Sequence, residues 1–316
     1  MTLRQQYSQY SKYNGWFWRV FFGGLILTTL FILLLSFGVF GKLPSFDELE
    51  NPQSYLATQI LSSDGELLGR YYKENRTNIN YQDIPAYLVD ALISTEDKRF
   101  YDHAGIDARS LGRVIIKTGI LGQESSGGGS TLTQQLAKNL YGRPQADNIF
   151  ELGVIKIKEW VTASKLERRY TKEEIITMYC NTVEYIYDAH GVQTAAKTFF
   201  NKSVDSLSLN EAALLVGMVK NPSLYNPISH PQNAFDRKNT VLALMVQNGK
   251  LADDQFENLK NEKVNVSKFK RQDHKSGEAT YFREYLRLWL RDWCEDNPKP
   301  DGTKWDIYRD GLKVHT

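Results

Sequence analysis

Gly127-Gly128-Gly129-Ser130-Thr131-Leu132-Thr133-Gln134-Gln135-Leu136-Ala137-Lys138-Asn139 runs three glycines into a row of hydroxyl and amide side chains and ends beside a lysine. Glycine frees backbone N–H groups, a helix N-terminus adds partial positive charge, and lysine adds a full one. Together they make a cradle for phosphate. The same residues also read as a mobile loop capping a polar helix, with Ser130 or Thr131 as N-cap. The spacing is not a Walker pattern, so local physics leaves both readings open.

A second block lies upstream, Glu96-Asp97-Lys98-Arg99-Phe100-Tyr101-Asp102-His103-Ala104-Gly105-Ile106-Asp107. With both blocks in view, the chain resembles the peptidoglycan glycosyltransferases that polymerise lipid II. That family carries E-D-x-x-F-x-x-H-x-G followed by G-G-S-T-[IL]-T-Q-Q-L-x-K-N. Lys156-Ile157-Lys158-Glu159 with Leu166 to Ile175 resembles its third motif. Tyr179-Cys180-Asn181, Gly191 to Ala196 and Phe200-Asn201-Lys202 resemble the fourth. Glu211-Ala212-Ala213, Asn221 to Pro227 and Arg237-Lys238-Asn239 resemble the fifth. The chain departs from the pattern at Ile155, where an arginine is expected, and at Ile186 and Asp188, where glycines are. Asp310 to Thr316 resembles the strand at which bifunctional class A penicillin-binding proteins enter their second half, which implies a transpeptidase domain beyond Thr316.

The resemblance implies a mainly α, lysozyme-like glycosyltransferase domain with a small β-hairpin, preceded by one transmembrane helix. It implies polymerisation of lipid II into β-1,4 glycan, with inversion and release of undecaprenyl diphosphate. Glu96 is then the general base for the acceptor hydroxyl, and Glu159 the second carboxylate, supporting the departing diphosphate. Ser130, Thr131, Gln135, Lys138 and Lys156 are expected to contact diphosphate and sugar, with Asp97, Asn226 and Arg237 as further substrate contacts. Phe100 and His103 shape the site, His103 by bonding a backbone carbonyl. No cofactor is required by this reading, although it leaves room for a divalent cation, Mg or Mn, at the diphosphate. The expected partners are lipid II, the growing glycan strand, the bilayer and other cell-wall synthesis proteins.

Val20 to Phe40 is an uncharged apolar run, about 30 Å long as a helix and matching a hydrocarbon core. Arg4, Lys12 and Arg19 precede it, whereas Asp47, Glu48 and Glu50 follow soon after. The positive-inside rule puts the N-terminus in the cytoplasm and the rest outside the bacterial cytoplasmic membrane. The run exceeds a signal-peptide core, and no small-x-small cleavage site follows. Trp16 and Trp18 suit an interfacial belt. The net charge of +2 gives no electrostatic reason to expect nucleic acid. Two cysteines make no disulfide framework, and Cys180 reads as a core thiol.

Ala57 to Tyr72 reads as a hairpin turning at Asp64-Gly65. Beyond Pro85 the period is helical, and the first helix delivers Glu96 at its end, with Asp97 on another face. Helices are predicted at about 107–120, 130–140, 148–169, 171–180, 190–199, 208–219, 231–248 and 251–256. Residues 120–129 read as a mobile loop, 261–278 as a polar linker, and Tyr281 to Leu290 as an amphipathic helix. Ile115 to Gly122 suits a membrane-facing rim or the end of a core helix. The expected organisation is a cytoplasmic tail (1–19), a span (20–40), a juxtamembrane segment with the hairpin (41–83), the glycosyltransferase domain (84–256), and a linker entering a second domain (257–316). Two rival readings are a glycan-cleaving enzyme, which also needs a carboxyl on a helical fold, and a catalytically inactive cell-wall scaffold.

Overall fold

The computed structural model describes residues 3–36, 58–71, 75–114, 129–142, 146–271, 279–300, 302–308 and 310–316. Helix α1 (Leu3–Ser36) comes first, followed by the antiparallel pair β1 (Thr58–Leu61) and β2 (Leu67–Tyr71). Gly65, at φ +85°, supplies the left-handed residue of the expected turn. Among the described residues, no helix is long and apolar enough to cross a membrane. Residues 37–40 of the expected span lie outside the described residues, as do 41–57 of the juxtamembrane segment, 115–128 of the presumed rim and loop, and 272–278 of the linker.

The fold is mostly helical, with a small sheet. After the short β3 (Asn75–Arg76) come α2 (Ala86–Glu96), α3 (Ala108–Val114), α4 (Leu132–Tyr141), α5 (Ile149–Arg169) and α6 (Lys172–Thr182). Strand β4 (Ala189–His190), paired parallel to β3, leads into α7 (Val192–Phe200), α8 (Leu209–Val219), α9 (Pro231–Gln247) and α10 (Asp253–Leu259). The helices predicted from 130 to 256 are present within a few residues of their expected bounds, while the one predicted at 107–120 is described from Ala108 to Val114 and its remainder lies outside the described residues. Three of these starts are capped by side chains: Asn148 accepts from Glu151 N, while Thr171 with Glu174 and Ser208 with Glu211 form capping boxes.

Helix α8 is the centre. Ala212, Ala213, Leu214, Leu215, Val216 and Met218 are all buried, because α2, α7 and α9 surround it. An 11-residue segment that is apolar on every side belongs in a core rather than at a surface. Cys180 lies in this core as expected, its thiol pushed up to about 12 by burial.

The segment read as a linker is in part strapped to this core. Val264, Val266 and Phe269 pack against it, and Lys270 N donates to Thr198 O. Lys238 is the fastener. Its side chain is 1% exposed, and its Nζ donates to Leu259 O at 3.0 Å and Glu262 O at 2.7 Å. Burial lowers its pKa to about 8, against the upward pull of Glu262. Lys238→Met strands two carbonyls, and at about 1–3 kcal/mol for each unsatisfied group it is expected to lower Tm by about 4–10 °C. A folded pKa below the ordinary 10.5 means the unfolded chain binds more protons between the two values, so this group makes stability rise with pH from about 8 towards 10.5. Thermal unfolding against pH is expected to show that rise flattened in Lys238→Met.

A second cluster gathers Ile60, Tyr71, Leu290, Cys294 and Ile307. Here β5 (Lys313–His315) pairs parallel with β1, giving the order β2-β1-β5, and α11 (Thr280–Asp296) packs alongside. The C-terminal strand expected to open a second domain thus returns to the N-terminal hairpin.

Candidate active site

Glu96 is the last residue of α2 and Asp97 its C-cap, with φ −155° turning the chain away. The two carboxylates consequently part, as their positions on the helix imply. Glu96 Oε2 accepts from Gln135 Nε2 at 3.0 Å, and Gln135 Oε1 accepts from the Tyr179 hydroxyl at 2.9 Å. Asp97 is 7% exposed, and its Oδ2 accepts from Leu132 N at 3.0 Å, at the start of α4. Its carboxylate also bonds His103 Nε2 at 3.0 Å. A carboxylate on the first free N–H of a helix complements the helix dipole. Asp97, expected as a substrate contact, is occupied in fastening α4.

His103 does not bond a backbone carbonyl, as expected from the sequence. Its Nδ1 accepts from Gly105 N at 3.2 Å, which leaves the proton on Nε2 to be donated to Asp97. The carbonyl of His103 accepts from Lys172 Nζ at 2.7 Å. Lys172 also pairs with Glu167, and Glu167 accepts from Thr133 Oγ1. The first, second and third motifs are thereby bound into one network around Phe100, over whose ring the Lys172 ammonium lies at 4.2 Å.

Thr131, not Ser130, caps α4: its Oγ1 accepts from Gln134 N and donates to Gly105 O at 2.7 Å. Its hydroxyl is committed to the fold and 2% exposed. Ser130 Oγ accepts from Lys156 Nζ at 2.9 Å, and the same ammonium pairs with Glu159 Oε2 at 2.5 Å. Glu159 is 8% exposed, so it is a buried carboxylate despite lying between two lysines in the sequence. Lys138 is exposed in the last turn of α4, about 9 Å along the axis from Leu132. The single cradle expected from glycine loop and lysine therefore divides between the two ends of α4, and Gly127 and Gly128 lie outside the described residues.

A cleft of about 460 Å³ opens against Glu96. Its lining includes Gly129, Ser130 and Thr131, the cationic side chains of Lys98, Arg113, Lys220 and Arg237, and the carboxylates of Asp97 and Asp107. Asp107, also at the cleft, is held at about 2: burial raises its pKa, but the bonds from Arg99 and Ser110 outweigh that. Arg237 Nε donates to Gly217 O at 3.3 Å, and its guanidinium lies 5.6 Å from the Tyr225 ring centre. Asn226 is elsewhere: it is 1% exposed, its Nδ2 donates to the Tyr187 hydroxyl and its Oδ1 accepts from Ile228 N. It shapes a turn. Lys98, Arg113 and Lys220 were not anticipated, because nothing local shows that the ends of α2, α3 and α8 converge.

The departure in the fourth motif has a backbone counterpart. Tyr187 and Asp188 adopt φ +67° and +58°, the left-handed region that glycine enters without cost. Of the two departing positions only Asp188 is left-handed, and the ring of its neighbour Tyr187 packs against Phe199 and Phe269. Among the described residues, no three His, Cys, Asp or Glu side chains gather as metal ligands.

The family model described as Transglycosylase matches residues 64–246. Penicillin-binding protein 1A of Escherichia coli strain K12 is 32% identical over 92% of this chain and 33% of its own length. Its namesake from Neisseria meningitidis strain Z2491 is 35% identical over 92% of this chain and 36% of its own length. The chain spans about a third of the length of these curated relatives. A crystal structure of penicillin-binding protein 1A from Haemophilus influenzae aligns with a TM-score of 0.44 and 22% identity over 83% of this chain and 26% of that one, too distant to add to the sequence matches.

Proposed function

Given that the chain belongs to the transglycosylase family, we propose that it is a peptidoglycan glycosyltransferase polymerising lipid II into β-1,4 glycan. The observation that carries this reading is the position of Glu96. Its carboxylate is held by Gln135 at the edge of a cleft whose walls are the Gly129–Thr131 segment and four cationic side chains. Such a cleft suits an anionic diphosphate substrate beside a general base. The acceptor 4-hydroxyl attacks the donor's anomeric carbon as Glu96 takes its proton. The bond from that carbon to the diphosphate breaks on the opposite face, inverting the configuration and releasing undecaprenyl diphosphate.

Ser130, Lys156 and Glu159 form the anion-handling cluster at the N-terminal end of α4. Lys138 lies one turn beyond Gln135 on the same helix face and serves the Glu96 end. Arg237, with Lys98, Arg113 and Lys220, brings positive charge to the cleft for the diphosphate. Asp97 positions rather than binds, and the domain carrying this site is lysozyme-like. Residues 20–36 of α1 expose Val20, Phe21, Phe22, Leu25, Ile26, Leu27, Leu30 and Leu33, and we read 20–40 as a single membrane anchor with the catalytic domain outside the cytoplasm.

The test is polymerisation of labelled lipid II by the detergent-purified chain, with products resolved by size. Long glycan strands support the reading. Shortening of preformed glycan without polymer replaces it with a hydrolase or lytic reading. Lys156→Met removes the ammonium that bonds both Ser130 and Glu159, and is expected to slow polymerisation about 100-fold, with some loss of Tm because the buried Glu159 carboxylate loses a partner, so initial rates are compared with the parent well below both melting temperatures.

A further inference from the structure

The side chain that orients Gln135 is not part of the reacting centre. Tyr179 lies in α6, is 2% exposed, and belongs to the buried core. Its hydroxyl donates to Gln135 Oε1 at 2.9 Å, while Gln135 Nε2 donates to Glu96 Oε2 at 3.0 Å. The three groups form a chain running from the core to the cleft.

A glutamine amide is nearly symmetric in shape, so packing alone does not choose which end faces the carboxylate. The two orientations differ in hydrogen bonding. With nitrogen towards Glu96, every group in the chain has a complementary partner. Reversed, the amide oxygen meets carboxylate oxygen, and the tyrosine O–H, whose partner among the described residues is Gln135, loses its acceptor in a buried site. Burial first, and the Glu96 charge second, push the Tyr179 hydroxyl well above its ordinary range, so it remains a donor throughout.

The geometry points to Tyr179 as a positioning residue for the general base, acting through Gln135 to hold an amide N–H on the Glu96 carboxylate. This rests on the reading of Glu96 as base. Loss of the hydroxyl lets the amide turn, so Glu96 samples orientations from which it does not reach the acceptor hydroxyl. Substrate affinity is untouched, because Tyr179 does not line the cleft. Displacements of this size near a reacting centre cost rate far more than binding.

The experiment compares Tyr179→Phe, Gln135→Met and the double variant in two measurements on the full chain. The first is steady-state polymerisation of labelled lipid II. The second is the side-chain amide 15N–1H resonance of Gln135, identified by its disappearance in Gln135→Met. Tyr179→Phe is expected to lower kcat about 3- to 30-fold with KM within twofold, and to move the Gln135 resonance. The double variant is expected to be no slower than Gln135→Met alone, since the hydroxyl acts through that amide. Multiplying effects in the double variant, a loss carried by KM, or an unmoved Gln135 resonance each overturn the proposal. The resonance needs no turnover, so it decides the amide's orientation even if the chain fails to polymerise lipid II and the functional reading falls.

Discussion

Glu96→Gln is expected to slow polymerisation by about 100- to 10,000-fold, the usual contribution of a general base, while Tm stays within a few degrees of the parent. The substitution keeps length, shape and one hydrogen bond, because the new amide oxygen still accepts from Gln135 Nε2, which lies 3.0 Å from the present carboxylate. Glu96 is only partly buried, and the hydrogen bond it accepts from Gln135 survives the substitution, so little of the fold depends on its charge. What is lost is the capacity to take a proton. Initial rates with labelled lipid II and a thermal melt separate the two effects. A parallel fall in Tm would mean that Glu96 is structural.

Gly105→Ala is expected to be strongly damaging, lowering Tm by about 10 °C or preventing folding. Gly105 adopts φ +89°, and a Cβ there would lie 2.9 Å from the Ala163 carbonyl carbon and oxygen and 3.1 Å from Ser164 N. All three are backbone atoms of α5, which cannot rotate away as a side chain does. Left-handed strain costs about 1–3 kcal/mol, and overpacking against backbone adds about as much again. The consequences spread, because Gly105 O accepts from Thr131 Oγ1 and Gln134 Nε2, and Gly105 N donates to His103. Displacing it moves the start of α4 and with it Ser130. Gly112→Ala is the control: nothing lies within 4 Å of its added methyl, and in a helix alanine is favoured by about 0.5–1 kcal/mol. A calorimetric comparison is expected to show the control at or above the parent and Gly105→Ala far below it.

What the sequence made legible follows from the range of each interaction. Helical period located α2 and α4 to α9 because apolar spacing is a property of neighbours along the chain, and the same geometry separated Glu96 from Asp97 before any fold was known. A hydroxyl cap at Ser130 or Thr131 and Cys180 as a core thiol are readable for the same reason, although which hydroxyl caps is settled only by the fold. Interactions between distant segments were not. Lys238 fastening the segment after α10 looks in sequence like any basic helix residue, and β5 reaching β1 spans nearly the whole chain. The cradle was misjudged because Lys138 follows the glycines closely in sequence, whereas a helix carries it away from them by about 1.5 Å per residue. Asn226 was taken for a substrate contact because a buried turn-forming asparagine and an exposed polar ligand look alike in one dimension. Tyr179 was visible as a motif residue, but its link to Gln135 and Glu96 exists only once α4 and α6 pack together.

The most direct test of Glu96 as the base of a lipid II polymerase sets binding against turnover in one variant. Labelled lipid II is bound to parent and Glu96→Gln protein, and single-turnover bond formation is then followed in both. The account predicts affinity within about twofold and glycan formation lost in the variant alone. Equal turnover in the two, or a variant that no longer binds lipid II, would contradict it.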